Sequence, residues 1–355
     1  MTRQLTPEIL VLIAGHLARD KPTLLNMSML RKEIYSLMLP ILYHSNEFLE
    51  LAGTLRFCQA IIHHPESPGR FVHQLYMQLL FWGIPVPRMS PDNPSVPEIV
   101  QISLNRMPNL QGLSLFGLSL FDPIDFSDCS FKLKSLLITP PVTKFTAILI
   151  RSQPTIVELK IAPLKPGGQC IDADHLIGPG IFPNLKTLTA CTKAIRVLAP
   201  GRPIEHVVMQ MCSKDDLNTA SILATLASLD QTSTPVKSLW ADLDGHPEVN
   251  GWNLIELLKS TELPSSLVRL TIKANLMVAK DPNHLGCVTR SLQGFTALKY
   301  FEVEETTQGV IEHPDIHEMF DTMFSALGEM IDMDALWRDS CPNLISVKLF
   351  DKNVV

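Results

Sequence analysis

One hydrophobic unit recurs along most of the chain. An apolar residue is followed by two variable positions, a second apolar residue, one variable position and a third apolar residue. It appears as Leu110/Leu113/Leu115, Leu133/Leu136/Ile138, Ile156/Leu159/Ile161, Leu185/Leu188/Ala190 and Ile204/Val207/Met209. Val236/Leu239/Ala241, Leu267/Leu270/Ile272, Leu298/Phe301/Val303 and Leu344/Val347/Leu349 follow, and Val72/Leu75/Met77 reads as an earlier copy. The last two positions of each triplet are two apart, the period of a strand buried on one face. The flanks set the units apart from chance. Met107-Pro108-Asn109-Leu110, Phe182-Pro183-Asn184-Leu185 and Cys341-Pro342-Asn343-Leu344 stand at one offset from the triplet, and Gln153-Pro154-Thr155-Ile156 is a weaker fourth. Proline stops a preceding helix, the polar residue turns the chain, and the aliphatic residue leads into a strand.

Between the triplets, helical spacing predicts helices over 96–106, 142–152, 215–229, 252–260 and 284–292, with a longer, broken one over 313–339. Strand and helix thus alternate about once per unit. The step between central triplet residues is loose, from 19 (Leu188 to Val207) to 46 (Phe301 to Val347). This pattern reads as an α/β solenoid whose short parallel strands stack along a concave face, each unit burying its triplet against its neighbours. The competing reading is an ordinary α/β domain with a parallel sheet. Stacking explains how 355 residues escape the size limit of a single core.

The first 45 residues follow a different rule. Thr6 suits an N-cap, Pro7 a first turn and Glu8 the positive end of a helix. Ile9, Leu10, Ile13 and Leu17 share a helical face. Asp20-Lys21-Pro22-Thr23 restarts the chain, and Leu24, Leu25 and Met29 give a second helix its apolar side. A third runs over 30–39, with Pro40 expected to end or kink it. Three such short helices cannot bury all this apolar surface among themselves, so part of it should face a partner or the next domain.

Composition narrows the function. A net charge of -6 argues against a nucleic-acid or anionic-membrane binder, which needs a basic face. Hydrophobic residues make up 46% of the chain, yet no run approaches the roughly 18 apolar residues of a membrane span. The apolar run 9–14 is too short for a signal segment. The 7 cysteines are scattered, odd in number and never spaced C-x-x-C, which reads as reduced thiols of an intracellular protein, cytoplasmic or nuclear. No nucleotide-binding glycine loop, H-E-x-x-H or G-x-S-x-G occurs. His313, His317 and Asp321 have metal-compatible helical spacing, which on an exposed helix reads as incidental. The chain is therefore expected to be no enzyme and to hold no cofactor or metal.

Three fragments of the N-terminal region carry a family resemblance. Leu5-Thr6-Pro7-Glu8-Ile9-Leu10 resembles the F-box opening, Leu25-Asn26-Met27-Ser28-Met29-Leu30-Arg31-Lys32 its middle, and Leu37-Met38-Leu39-Pro40-Ile41-Leu42-Tyr43 the exit common in fungal F-box proteins. Thr6 replaces the usual first proline and Ile34 stands where an aromatic is frequent. The resemblance implies an F-box over 1–46 and a leucine-rich-repeat-like solenoid over 47–355. It further implies a substrate-recognition subunit of an SCF-type cullin-RING ubiquitin ligase, docking a Skp-type adaptor, and through it a cullin. Carried over by position, the adaptor contacts are Leu5, Pro7, Glu8, Ile9, Ile13, Leu17, Leu24, Leu25, Leu30 and Lys32. For Ile13 and Leu17 packing within the module is an equal alternative. The Asn or Cys that usually follows the repeat strand stands only at Asn275 and Cys212, so an irregular arc is expected. A repeat scaffold without ligase association is the second reading, and an α/β enzyme a third.

In each strand the variable positions would point onto the concave face, where a protein target would lie. This selects Tyr76, Phe116, Trp240, Asp242, Arg269, Lys273, Tyr300, Glu302 and Glu304. Trp240 and Tyr300 suit binding hot spots, although a tryptophan can equally fill a core. Lys273 and Glu304 hold equivalent positions on adjacent strands, which predicts an ion pair within a patch of mixed charge.

Overall fold

The computed structural model describes residues 6–18, 20–78, 95–116, 126, 129–139, 144–162, 181–210, 218–243, 251–274, 290–305, 333–349 and 352–353. The chain divides into two compact units, Met1–Ile156 and Val157–Val355.

The first unit opens with helices α1 (Pro7–His16), α2 (Lys21–Ser28) and α3 (Lys32–His44). Their shared core is Ala14, Leu24, Met38 and Leu42, with Leu10, Leu17, Ile34, Leu37, Ile41 and Tyr43 packed against it. Asp20 caps α2, its carboxylate accepting the backbone N–H (3.2 Å) and the hydroxyl (2.7 Å) of Thr23. Thr6 occupies the N-cap of α1 but caps it in position only: its side chain makes no cap bond to the helix. The Glu8 backbone N–H and, less strongly, the Thr6 hydroxyl hold the Glu8 carboxyl below the usual carboxylate range. Of the two outcomes expected at Pro40, termination does not occur: α3 runs through it to His44. Pro40 is exposed, so the carbonyl it leaves without an N–H donor can turn to water, while Leu39 and Leu42 anchor the opposite side.

Strand β1 (Ser45–Phe48) follows directly, then α4 (Leu51–His63), β2 (Gln74–Gln78), α5 (Val96–Asn105), β3 (Gly112–Phe116), β4 (Ser135–Ile138) and α6 (Lys144–Ser152). The four strands pair in parallel in sequence order. The triplets define the register: Leu75 faces Leu113, which faces Leu136. Strand β1 has no triplet. Buried Asn46 takes the place of the central aliphatic and is satisfied by Lys21 Nζ (2.8 Å) and the Tyr43 carbonyl (2.7 Å). Helix α4 was also absent from the expected set, though it buries Thr54, Phe57, Cys58 and Ile61 at helical spacing.

The second unit carries β5 (Glu158–Ile161), β6 (Thr187–Cys191), α7 (Thr192–Leu198), β7 (His206–Gln210), α8 (Thr219–Leu229) and β8 (Ser238–Asp242). Helix α9 (Gly251–Leu258), β9 (Arg269–Ala274), β10 (Tyr300–Glu305), α10 (Met333–Ser340), β11 (Ser346–Leu349) and the antiparallel β12 (Lys352–Asn353) complete it. Strands β5 to β11 are parallel and in sequence order, and Leu159, Leu188, Val207, Leu239, Leu270, Phe301 and Val347 align across them. Short helix α7 was not expected from the sequence.

The fold is thus α/β, with parallel strands added one per repeat in both units. The repeat is regular to the atom. In each unit the residue after the first triplet position offers its carbonyl to two N–H groups of the next repeat. Lys186 O accepts from Glu205 (2.9 Å) and His206 (3.0 Å), Glu205 O from Lys237 (2.8 Å) and Ser238 (3.1 Å), and Lys237 O from Val268 (2.8 Å) and Arg269 (3.0 Å). Val268 O and Lys299 O continue the series, as do His73 O and Gln111 O in the first unit. The proline-bearing tetrapeptides all close one turn, the N–H of Leu110, Ile156, Leu185 and Leu344 returning to the carbonyl of Met107, Gln153, Phe182 and Cys341. The polar residue just before the triplet then clamps the preceding repeat. Asn109 Nδ2 reaches Arg70 O (2.7 Å), Thr155 Oγ1 reaches Leu133 O (2.8 Å), Ser266 Oγ reaches Val236 O (2.9 Å) and Asn343 Nδ2 reaches Thr296 O (2.7 Å). The expected ladder positions Asn275 and Cys212 lie outside the described residues.

Candidate protein-docking surfaces

Two surfaces, one in each unit, hold most of the residues singled out above. The first comprises the exposed sides of α1 and α2, each of which packs on α3. Ile9, Leu12 and Ile13 lie at i, i+3 and i+4 on α1, and all are exposed. On and after α2, Leu25 is 53% exposed, Met29 75% and Leu30 70%. Isolated surface leucines are ordinary, whereas exposed aliphatic side chains at this density stand apart from a bundle that otherwise packs well. Pro7, Glu8 and Lys32 are exposed beside them. Leu24 does not belong to the surface: it is fully buried at the centre of the bundle and holds the three helices together. Leu17 is half-buried in the same cluster. Leu5 lies outside the described residues. Sequence reading missed Leu12, Val11 and the exposure of Met29, because α1 is apolar almost all round and its periodicity does not choose an outer face.

The second surface is the side of the β5–β11 sheet that the triplets do not use. Trp240, in β8, sends its indole N–H across β9 to Glu304 in β10 (3.2 Å). Thr271, the register partner of Trp240 on β9, lies under that span and is only 4% exposed. Lys273 and Glu304 are register partners as expected, but the expected pair is replaced. The Lys273 ammonium meets Asp242 on β8 (3.6 Å), and Glu304 receives the indole. Lys348 Nζ donates to Glu302 (2.9 Å), and the Arg269 guanidinium lies 4.8 Å over the Tyr300 ring. Each ion pair is partly exposed, so it contributes little to stability and serves to fix the side chains. In the first unit, the corresponding face of β2 and β3 carries Tyr76 against Phe116, ring centroids 4.8 Å apart. Burial, reinforced by the charge of Glu47, pushes the Tyr76 phenol above its usual range.

Burial raises the Cys58 thiol to about 11, which makes it a packing group and not a nucleophile. Among the described residues no group of three or more His, Cys, Asp or Glu is placed to hold a metal ion. His313, His317 and Asp321 lie outside the described residues. No helix among the described residues is long and apolar enough to cross a membrane. No family model matches the chain, and neither does any curated protein.

Proposed function

We propose that this chain is the substrate receptor of an SCF-type cullin-RING ubiquitin ligase. On this reading α1–α3 are an F-box docking a Skp-type adaptor, and the leucine-rich-repeat-like sheet holds a protein target. The exposed aliphatic side chains of α1 and α2, on a bundle that closes its own core without them, are the observation that carries it. A helical module that leaves Ile9, Leu12, Leu25, Met29 and Leu30 outside offers the aliphatic anchors of a helix-in-groove contact. The adaptor-facing set becomes Pro7, Glu8, Ile9, Leu12, Ile13, Leu25, Met29, Leu30 and Lys32, with Leu5 kept from the sequence and without Leu17 and Leu24, which pack in the bundle. Ubiquitin transfer would belong to other subunits, with this chain raising the target's effective concentration beside them.

A pull-down of a purified Skp-type adaptor by the full chain tests the proposal, with a Pro7→Ala/Ile9→Asp variant alongside. Capture by the parent and loss by the variant is the expected result. Equal failure of both removes the ligase reading and leaves a repeat scaffold that binds its target without an adaptor.

A further inference from the structure

The edge of the second unit's sheet where the strands begin carries a row of cations. The doubly accepting carbonyls bring Lys186, Glu205, Lys237, Val268 and Lys299 side by side, one per strand from β6 to β10. Lys186, Lys237 and Lys299 are exposed, and they occur on every second strand. Arg269, the first residue of β9, adds a fourth cation, and His206 stands at the matching position of β7. Against these stands one carboxylate, Glu205; Glu158 on β5 bounds the row. Four cations less one carboxylate give +3 on this strip, in a chain whose net charge is -6.

Neighbouring strands lie about 4.8 Å apart, so the backbone positions that bear these lysines repeat at roughly 9.6 Å, and Glu205 draws the Lys186 and Lys237 ammoniums together from that spacing. A polyproline-II segment turns once per three residues and rises about 9.3 Å in doing so. Acidic side chains at every third residue of such a segment share one face and match the lysine spacing. Glu205 already displays the chemistry from within: its carboxylate lies 2.5 Å from Lys237 and 3.9 Å from Lys186, and those cations hold it below the usual carboxylate range. Lys299 has no anionic partner among the described residues. The excess of cations is confined to this rim: further along the same strands Asp242 and Glu302 are already paired with Lys273 and Lys348, and Glu304 with no cation among the described residues, which leaves no wide basic face for a broad polyanion such as nucleic acid.

We infer that this rim docks an extended acidic segment of a protein partner, one presenting a carboxylate at every third residue. Calling that partner the ligase target rests on the receptor reading above; the docking itself does not.

Fluorescence anisotropy with the full chain tests it, using a labelled peptide of four Glu-Pro-Pro units. A block peptide of the same composition (four Glu, then eight Pro) and a twelve-nucleotide oligothymidylate serve as comparisons. The expected result is saturable binding of the repeating peptide, at least fivefold tighter than the block peptide, that weakens as salt is raised. Replacing Lys186, Lys237 and Lys299 together by Gln should weaken it at least tenfold with an unchanged melting temperature. Glu205→Gln, which removes the resident carboxylate, should tighten it severalfold. Absent peptide binding, equal binding of the block peptide, tighter binding of the oligonucleotide, or weaker binding by Glu205→Gln would each overturn the inference. A chain that captures the adaptor but ignores the peptide loses only this inference. One that binds the peptide but not the adaptor loses only the receptor reading.

Discussion

Two leucine substitutions of opposite kind put the docking surface of α1 and α2 under direct test. Leu12 is 64% exposed and Leu30 70%, so each leaves about two thirds of its surface for a partner to cover. Full burial of a leucine contributes about 1.5–3 kcal/mol, which gives roughly 1–2 kcal/mol for each remaining portion. The two together reach about 2–3 kcal/mol once ordering costs are discounted, on the order of 50-fold in Kd. Leu12→Ala/Leu30→Ala should therefore weaken adaptor binding by that factor in isothermal titration calorimetry while leaving the thermal melt in place. Leu24→Ala should do the reverse to the fold. Its side chain is fully buried, and a truncation there costs about 2–5 kcal/mol of stability. A double alanine variant that binds within threefold of the parent would refute the surface assignment, and so would one that melts several degrees lower.

Other positions give independent checks. A Cβ at Gly69 would collide with the Arg106 carbonyl oxygen, so Gly69→Ala should lower the urea midpoint through backbone displacement between α4 and α5. Arg202 is buried and donates to the carbonyls of Ile181 and Leu198, both at 2.9 Å, closing the end of α7; Arg202→Met should cost about 2–3 kcal/mol by chemical denaturation. Iodoacetamide at pH 8 should spare Cys58, Cys191 and Cys341, which are buried, and modify the half-exposed Cys129, as read by peptide mass mapping. Burial and the neighbouring His44, stacked at 4.7 Å, hold the His73 imidazole below its usual range. The folded state thus favours neutral His73. Its contribution is complete above the unfolded value near 6.5 and is lost as pH falls through the lower folded value, so His73→Gln should flatten the decline in urea midpoint between pH 7 and 5.

The strands and their register were legible because the sheet's buried side is written in aliphatic residues at fixed offsets. Leu113, Leu136, Leu239 and Leu270 align as the triplets align. What the triplets could not reveal was β1, whose inward position is filled by an amide serviced from α2 and α3. Helix α4 is written in the helical spacing of Phe57, Cys58 and Ile61, but it precedes the first triplet and so falls outside the strand–helix alternation that the triplets mark. In the candidate sites, side-chain position was readable and side-chain choice was not. Lys273 stands opposite Glu304 as its sequence offset demands, yet its ammonium meets Asp242 because a tryptophan from β8 reaches Glu304 over Thr271. The same limit sent Leu24 to the surface on paper. Adjacent Leu24 and Leu25 differ by one step of helix rotation, and only packing against Met38 and Leu42 decides which turns inward.

The four clamps that precede triplets explain how units of unequal length make an even stack. Thr155, Ser266, Asn109 and Asn343 span 22, 30, 39 and 47 residues of chain to their acceptors, yet the four bonds differ by only 0.2 Å, from 2.7 to 2.9 Å. Distance along the polymer is thereby uncoupled from distance in space. Extra chain can bulge between one rung and the next without shifting the ruler on which the lysines, the indole and the carboxylates are mounted. Such a molecule is free to diversify its excursions while its spacing stays constant.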